Sequence, residues 1–433
     1  MEKTDCCYRT FLNILKEELV PAMGCTEPIA VAYAAAKARE ILGIGPDKIE
    51  KVLLRVSGSI IKNVKSVIVP NTGHLKGLEA AVIAGLVAGN AKRELEVIAE
   101  VTIEEQKYIA EYLEKIPVEI IHIEEGSVFD IDLCILAGKE SSRIRILDTH
   151  TNIVALEKNG KNVMTEKMQR DSLTTEKNTC YENNRNLLSM EKIWDFVNSV
   201  NIEDVEPILD RQIKYNMAIA EEGLKGDYGS NIGSVLMNVG GDNVRNRARA
   251  KAAAGSDARM NGCELPVVIN SGSGNQGITC SVPVIEYAKE LRVEKEQLLR
   301  ALTLSNLTTI YQKTGIGTLS AYCGAVCAAA GAGAGIVFLR EGSYEAVIHT
   351  IVNTLATVSG IVCDGAKASC AAKIACALDT VFLGYDMYRY GEDFHSGDGI
   401  VMDDVEATIR AVGKIGHDGM RETNDEIIRL MLC

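Results

Sequence analysis

Apolar residues recur at helical spacing from Phe11 to Leu42 and stop at Gly43 and Gly45, which predicts a helix. Val52 to Val56 and Val64 to Val69 are short β-branched runs and predict strands. Pro70-Asn71-Thr72-Gly73 reads as a turn, and Leu78 to Ala88 as a second helix ended by Gly89-Asn90. Further strands are predicted at Leu95 to Val101, Val118 to Glu124, Asp132 to Ala137 and His150 to Leu156, with Glu104 to Lys115 helical between the first two. From Gly160 to Asn186 the chain turns polar and charged, as in a linker or surface excursion. From Met190 onward the pattern is helical, with glycine-rich breaks at 223–229, 240–241, 271–277 and 315–317. The fold class expected is α+β: an α/β domain over 1–160, a polar segment over 161–189, and a mostly helical domain over 190–433.

Composition narrows the function. The chain has 433 residues, 47% of them apolar but only 5% aromatic, with glycine and alanine abundant instead. That suits closely packed helices. The net charge is −13 and no basic tract follows a phosphate backbone, so nucleic acid is excluded as the expected partner. Met1 to Thr10 carries charges and no apolar core, unlike a signal peptide. Thr314 to Leu339 has no charge and is long enough to span a bilayer, yet its Ala/Gly/Cys interior suits a buried helix, so no membrane is expected. Thirteen cysteines in a long chain argue against a disulfide framework. A cytoplasmic location would keep them as thiols or metal ligands.

Four constellations carry candidate chemistry. Cys323 follows Ala321-Tyr322, and Cys363 and Cys370 bracket the segment CDGAKASC. Thiolates are soft ligands that hold iron–sulfur clusters, and three of them leave one iron of a cubane open. Three buried cysteines acting as small hydrophobes fit the same spacing. Cys25 lies in Met23-Gly24-Cys25-Thr26-Glu27-Pro28, ahead of a helix start. A helix N-terminus favours thiolate, which suits a base or nucleophile, although a plain capping segment would look the same. The stretch Ser271, Gly272, Ser273, Gly274, Asn275, Gln276, Gly277 exposes backbone N–H groups that can cradle a carboxylate, or is only a turn. Thr72, His74 and Lys76 stand in a polar turn before a helix and can bind a substrate carboxylate or amine, or merely connect strand to helix. No HExxH, CxxC, GxSxG, P-loop or dinucleotide fingerprint is present.

At these residues the sequence resembles the L-cysteine desulfidase family, relatives of the iron–sulfur L-serine dehydratases. The segments that carry the resemblance are PAMGCTEPIA at 21–30, PNTGHLKGLEAA at 70–81, SGSGNQGITCSVPV at 271–284 and CDGAKASC at 363–370. The resemblance implies a [4Fe–4S] cluster on Cys323, Cys363 and Cys370, with Cys25 as the residue that removes a proton. It implies a small amino-acid substrate, L-cysteine or alternatively L-serine, and an α/β domain followed by a helical one. A non-catalytic iron–sulfur redox sensor would use the same three cysteines without needing Cys25. Cys327, one helical turn after Cys323, and Cys280 are further candidates for the same site. An open iron is exposed to oxidants, so activity is expected to be lost in air. Cys433 carries both a thiol and a terminal carboxylate and is a candidate visitor to the site. A homodimer is left open.

Overall fold

The computed structural model describes residues 1–165 and 184–432. The first apolar run is not one helix. It folds as α1 (Cys6–Glu18) and α2 (Thr26–Leu42), with the short strand β1 (Pro21–Met23) between them. The cause is local. Pro21 lacks an N–H and biases Val20 toward extended backbone, and Gly24 adopts a left-handed φ of 53°. Gly24 also lies against Pro70, where a Cβ would approach Cγ to 2.8 Å.

The sheet of the first half has six strands in the order β3-β2-β4-β5-β6-β7. These are β2 (Lys51–Ser57), β3 (Val118–Ile123), β4 (Asp130–Ala137), β5 (Glu140–Leu147), β6 (Ile153–Lys158) and β7 (Lys161–Asn162). β2 and β3 are parallel and the other neighbours antiparallel. Helices α3 (Gly58–Val64), α4 (Gly77–Ala88) and α5 (Ile103–Lys115) accompany the sheet. Two expected strands are corrected. Val64 closes α3, and Ile68 makes only an isolated bridge to Lys76. Leu95 lies within a 3₁₀ turn (Ala91–Glu96) in which Glu94 has a φ of 47°. Leu95, Val97 and Ile98 are buried there, so the run is apolar because it is covered and not because it is extended.

The second half is built from α6 (Met190–Ser199), α7 (Ile202–Lys225), α8 (Ile232–Gly240), α9 (Val244–Met260), α10 (Gly274–Leu291), α11 (Lys295–Ile316), α12 (Gly324–Glu341), α13 (Tyr344–Val358), α14 (Ser369–Tyr390), α15 (Val405–Lys414) and α16 (Arg421–Leu432). An α+β chain with a helical C-terminal region is therefore what the structure shows. The uncharged run from Thr314 to Leu339 is interrupted between α11 and α12. α12 is long and apolar enough to cross a membrane, but 72% of it is buried among other helices. Its small residues permit that packing: a Cβ on Gly331 would meet Ser305 O of α11 at 2.5 Å. One hydrophobic cluster runs from Tyr8 to Val412 through sheet and helices alike. Strand β1 pairs antiparallel with β8 (Pro266–Val268), so residues just before Cys25 are fastened to residues just before Asn270. Most of the polar segment at 161–189, and Cys433, lie outside the described residues.

Candidate functional site

That pairing delivers Cys25 and the loop at 271–276 to the same cavity, of about 110 Å³. Its walls come from the start of α2 (Cys25, Glu27), from Asn63 of α3, from His150, from Arg259 near the end of α9, and from Ser271, Gly272, Ser273, Asn275 and Gln276. The loop between α11 and α12 adds Cys323, and the turn before α14 adds Cys363 and Cys370. Lys313 completes this side.

The two cysteine turns are stitched together by backbone. Tyr322 and Val362 form an antiparallel bridge. Cys323 N donates to Ile361 O at 3.0 Å, and Cys363 N donates to Ala321 O at 2.6 Å. Asp364 is held by Lys367 at 2.8 Å and by Lys373, which fixes the turn that leads to Cys370. Gly365 takes a φ of 98° and lies where a Cβ would be 2.3 Å from Lys62 O. Burial, reinforced by the Cys363 charge, pushes the Cys323 thiol up to about 12. Burial also raises Cys370. Among the described residues, three donors within 4.8 Å of one another occur at Asp5, Cys6 and Cys7, where Asp5 simply caps α1. The three cavity cysteines do not form such a tight group. Cys327 is buried in the hydrophobic cluster, and Cys280 is buried against Gly277 O and Asn306 Oδ1; neither lines the cavity.

Cys25 occupies the N-cap position of α2, but its side chain makes no capping bond. It donates instead to Glu27 Oε2 at 3.0 Å. The expectation of a lowered pKa fails here. Burial, and then the Glu27 charge, push the thiol well above its ordinary value, outweighing the helix end. Glu27 also accepts from Thr26 Oγ1 at 3.1 Å and Asn63 Nδ2 at 3.0 Å. Burial works to raise its carboxyl, but His150, the thiol and Arg259 overcome this and hold it below its ordinary value. Thr26 Oγ1 donates to Gly272 O at 2.9 Å and so ties α2 to the second loop.

That loop rests on buried amides. Ser271, at a φ of 49°, donates its hydroxyl to Asn270 Oδ1 at 2.8 Å. Asn270 Nδ2 donates to Asn306 Oδ1 at 2.9 Å, and Asn306 Nδ2 donates to Gln212 Oε1 at 2.8 Å. Ser273 caps α10. Gly274, the first residue of α10, lies just behind the lining residues.

Thr72, His74 and Lys76 are not brought to this cavity. Thr72 Oγ1 is spent on Val69 O at 2.7 Å within its own turn, and His74 and Lys76 are exposed. The residues that sequence reasoning missed are Glu27, Asn63, His150, Arg259 and Lys313. Of the eight buried side-chain polar atoms without a hydrogen-bond partner among the described residues, five belong to Asn63, His150, Arg259 and Gln276 in this cavity. Buried polar atoms are ordinarily paired, so such a concentration marks a place built for a polar ligand. A second cavity of about 440 Å³ adjoins it, sharing His150, Ser271, Gly272, Lys313 and Thr318. Its far wall carries Arg185, which bridges Glu17 at 3.0 Å and Glu18 at 2.5 Å.

Comparison with known proteins gives the family. The model of the serine dehydratase alpha chain matches residues 92–429, which include His150, Arg259, the 271–276 loop and all three cavity cysteines. The UPF0597 protein of Desulfitobacterium hafniense is 55% identical, with 100% of this chain and 98% of the relative aligned. Those of Lachnoclostridium phytofermentans and Treponema denticola are 51% and 46% identical, with 98% of this chain and 100% and 98% of the relatives aligned. The chain belongs to the serine dehydratase alpha chain family.

Proposed function

We propose that this chain is a lyase that performs α,β-elimination on L-cysteine, giving sulfide, pyruvate and ammonia, with a [4Fe–4S] cluster held by Cys323, Cys363 and Cys370. The observation that carries the reading is the concentration of unpartnered buried polar atoms in the same cavity as these three thiols. The donor set fits such a cluster. Three thiolates on a shared wall are soft ligands, and two buried lysines flank them with no carboxylate partner among the described residues. Lys62 Nζ donates to Cys363 O at 3.3 Å and Asn424 Oδ1 at 2.7 Å, and Lys313 Nζ donates to Gly317 O at 2.6 Å. Both ammonium groups are pulled down by burial and supported by nearby cysteine charge. When bound, the cluster supplies a Lewis-acidic iron with an open coordination position.

The remaining work falls to the chain itself. The N-terminal end of α10, with Ser273 and Asn275, receives the substrate carboxylate. Glu27 Oε2 accepts the Cys25 S–H and orients the sulfur, which takes the α-proton once the thiol has given up its own. Loss of the β-substituent leaves aminoacrylate, which water converts to pyruvate and ammonia. The buried walls keep bulk water from the carbanion. L-serine, with water as leaving group, is the second reading, and the family's description favours it. A redox sensor gives no reason for Glu27, Asn63 and Arg259 to share the cavity. The test is anaerobic reconstitution of the full chain, followed by iron and sulfide analysis and pyruvate assays with L-cysteine and L-serine side by side. Roughly four irons per chain and pyruvate from L-cysteine are expected. A full cluster with no pyruvate from either amino acid overturns the enzymatic reading.

A further inference from the structure

Arg259 sits near the C-terminal end of α9 and is 2% exposed. Its Nη1 donates to Asn275 Oδ1 at 3.1 Å, while Nε and Nη2 have no partner. Those two nitrogens form one edge of the guanidinium, the fork that grips a carboxylate with two parallel bonds. No carboxylate lies within ion-pairing distance among the described residues. Glu27, the acid whose charge reaches it, is already occupied by Cys25, Thr26 and Asn63.

The placement is electrostatically costly unless an anion joins it. Arg259 packs on Gly274, where a Cβ would stand 2.2 Å from Nε. The guanidinium is thus buried at the N-terminal end of α10, where the helix dipole is also positive. Two positive elements facing one spot, both shielded from water, call for a negative ligand there. The loop amides cannot do this alone. Ser273 N is used by Asn270 O, Gln276 N by Ser273 Oγ and Gly277 N by Ser273 O.

We propose that the unpaired edge of Arg259 holds the substrate's α-carboxylate and confines the enzyme to substrates in which that carboxylate is free. The ligand's identity rests on the lyase reading, whereas the anion site rests on the geometry alone. An amine or amide that keeps the β-thiol or β-hydroxyl but lacks the carboxylate, such as cysteamine or L-serinamide, has nothing to offer the fork.

The test compares the anaerobically reconstituted full chain with its Arg259→Gln variant. KM for L-cysteine and L-serine should rise at least roughly tenfold, the least expected from losing hydrogen bonds to a charged group. Iron content should stay the same. Thermal stability should not fall, because an unpaired buried charge has been removed. Cysteamine should neither react with the parent nor inhibit it. Pyruvate, a carboxylate that is not turned over, serves as the binding probe in thermal-shift measurements. If amino acids are turned over and Arg259→Gln leaves KM unchanged, the inference falls and the lyase reading stands. If neither amino acid reacts but pyruvate stabilises the parent and not the variant, the anion site stands and the lyase reading falls. Should Arg259→Gln fail to fold, Gly274→Ala displaces the guanidinium without deleting it. An unchanged KM in that variant also overturns the proposal.

Discussion

Two turns in this chain are built from the same materials. The turn at 70–77 and the loop at 270–277 both combine Asn, Ser or Thr and Gly, both lead into a helix, and both place a non-glycine residue in left-handed backbone, Asn71 at 57° and Ser271 at 49°. They differ in where their polar groups go. In the first turn Asn71 Nδ2 donates to Ile98 O at 2.8 Å and Thr72 is bonded to Val69 O, so the side chains are consumed in making the turn. In the second, the turn is held by Asn270 and Asn306 from beneath and by the Ser271 and Ser273 hydroxyls within it, which leaves the Asn275 and Gln276 side chains to face the cavity. A binding loop needs separate groups for shape and for ligand, and only the second loop has both.

If proximity to the cavity is what separates the two turns, the effects of substitution should grade with it. The largest effect is expected beside the second loop. Cys363→Ser and Cys370→Ser should lose most iron and all pyruvate formation, because oxygen is a poorer ligand for the cluster. The exposed Cys6→Ser and Cys376→Ser should keep both, and so should Cys327→Ser, with at most a mild loss. An iron analysis that finds full occupancy in Cys363→Ser removes that residue from the ligand set. Next comes Cys25→Ala, which should retain iron but slow turnover by roughly 10²–10⁴-fold; loss of iron instead would make Cys25 a ligand. A third pair opposes the two turns directly. Asn306→Ala and Asn71→Ala should each destabilise by about 1–3 kcal/mol, yet only Asn306→Ala should also raise KM, because it loosens Ser271. Equal KM values in the two variants break the comparison. The smallest effects belong to the first turn's side chains. Thr72→Ala should cost about 1 kcal/mol of stability, and His74→Ala and Lys76→Ala less than about 0.5 kcal/mol. None of the three should change KM.

Much of this was legible in the residues. The strands β2, β3 and β4 and helices α4 and α5 follow the hydrophobic pattern closely, and the family resemblance, not the spacing, singled out the three cysteines that share the cavity. The pattern misled where burial and extension part company, as at Val64–Val69 and Leu95–Val101. β5 was missed although its buried Ser142, Ile144 and Ile146 alternate with more open positions; its Glu-Ser-Ser-Arg start hides the period. The long helix drawn from Phe11 to Leu42 ignored Pro21. Arg259 and Glu27 were illegible for another reason. A single charged residue near a helix end usually faces water, and Glu in a first turn is what the dipole favours anyway. Only the all-round burial of α9 from Ala252 to Met260 reveals that Arg259 has no water to face. The Ala-rich stretch just before it was the signal available.

The pairing of β1 with β8 also fixes an order of events during synthesis. Residues 21–23 leave the ribosome early, but their partners at 266–268 are made much later. At roughly 5–20 residues per second the delay is on the order of tens of seconds. Throughout that interval Cys25 and Glu27 have no loop to face. The cysteine turns at 323 and 363–370 appear later still, so the nascent chain carries Cys25 and Glu27 long before the opposite wall of their cavity exists. The cavity is thus complete only once Cys370 has been made, and a chain stalled before it lacks one of the three cysteines that line the wall.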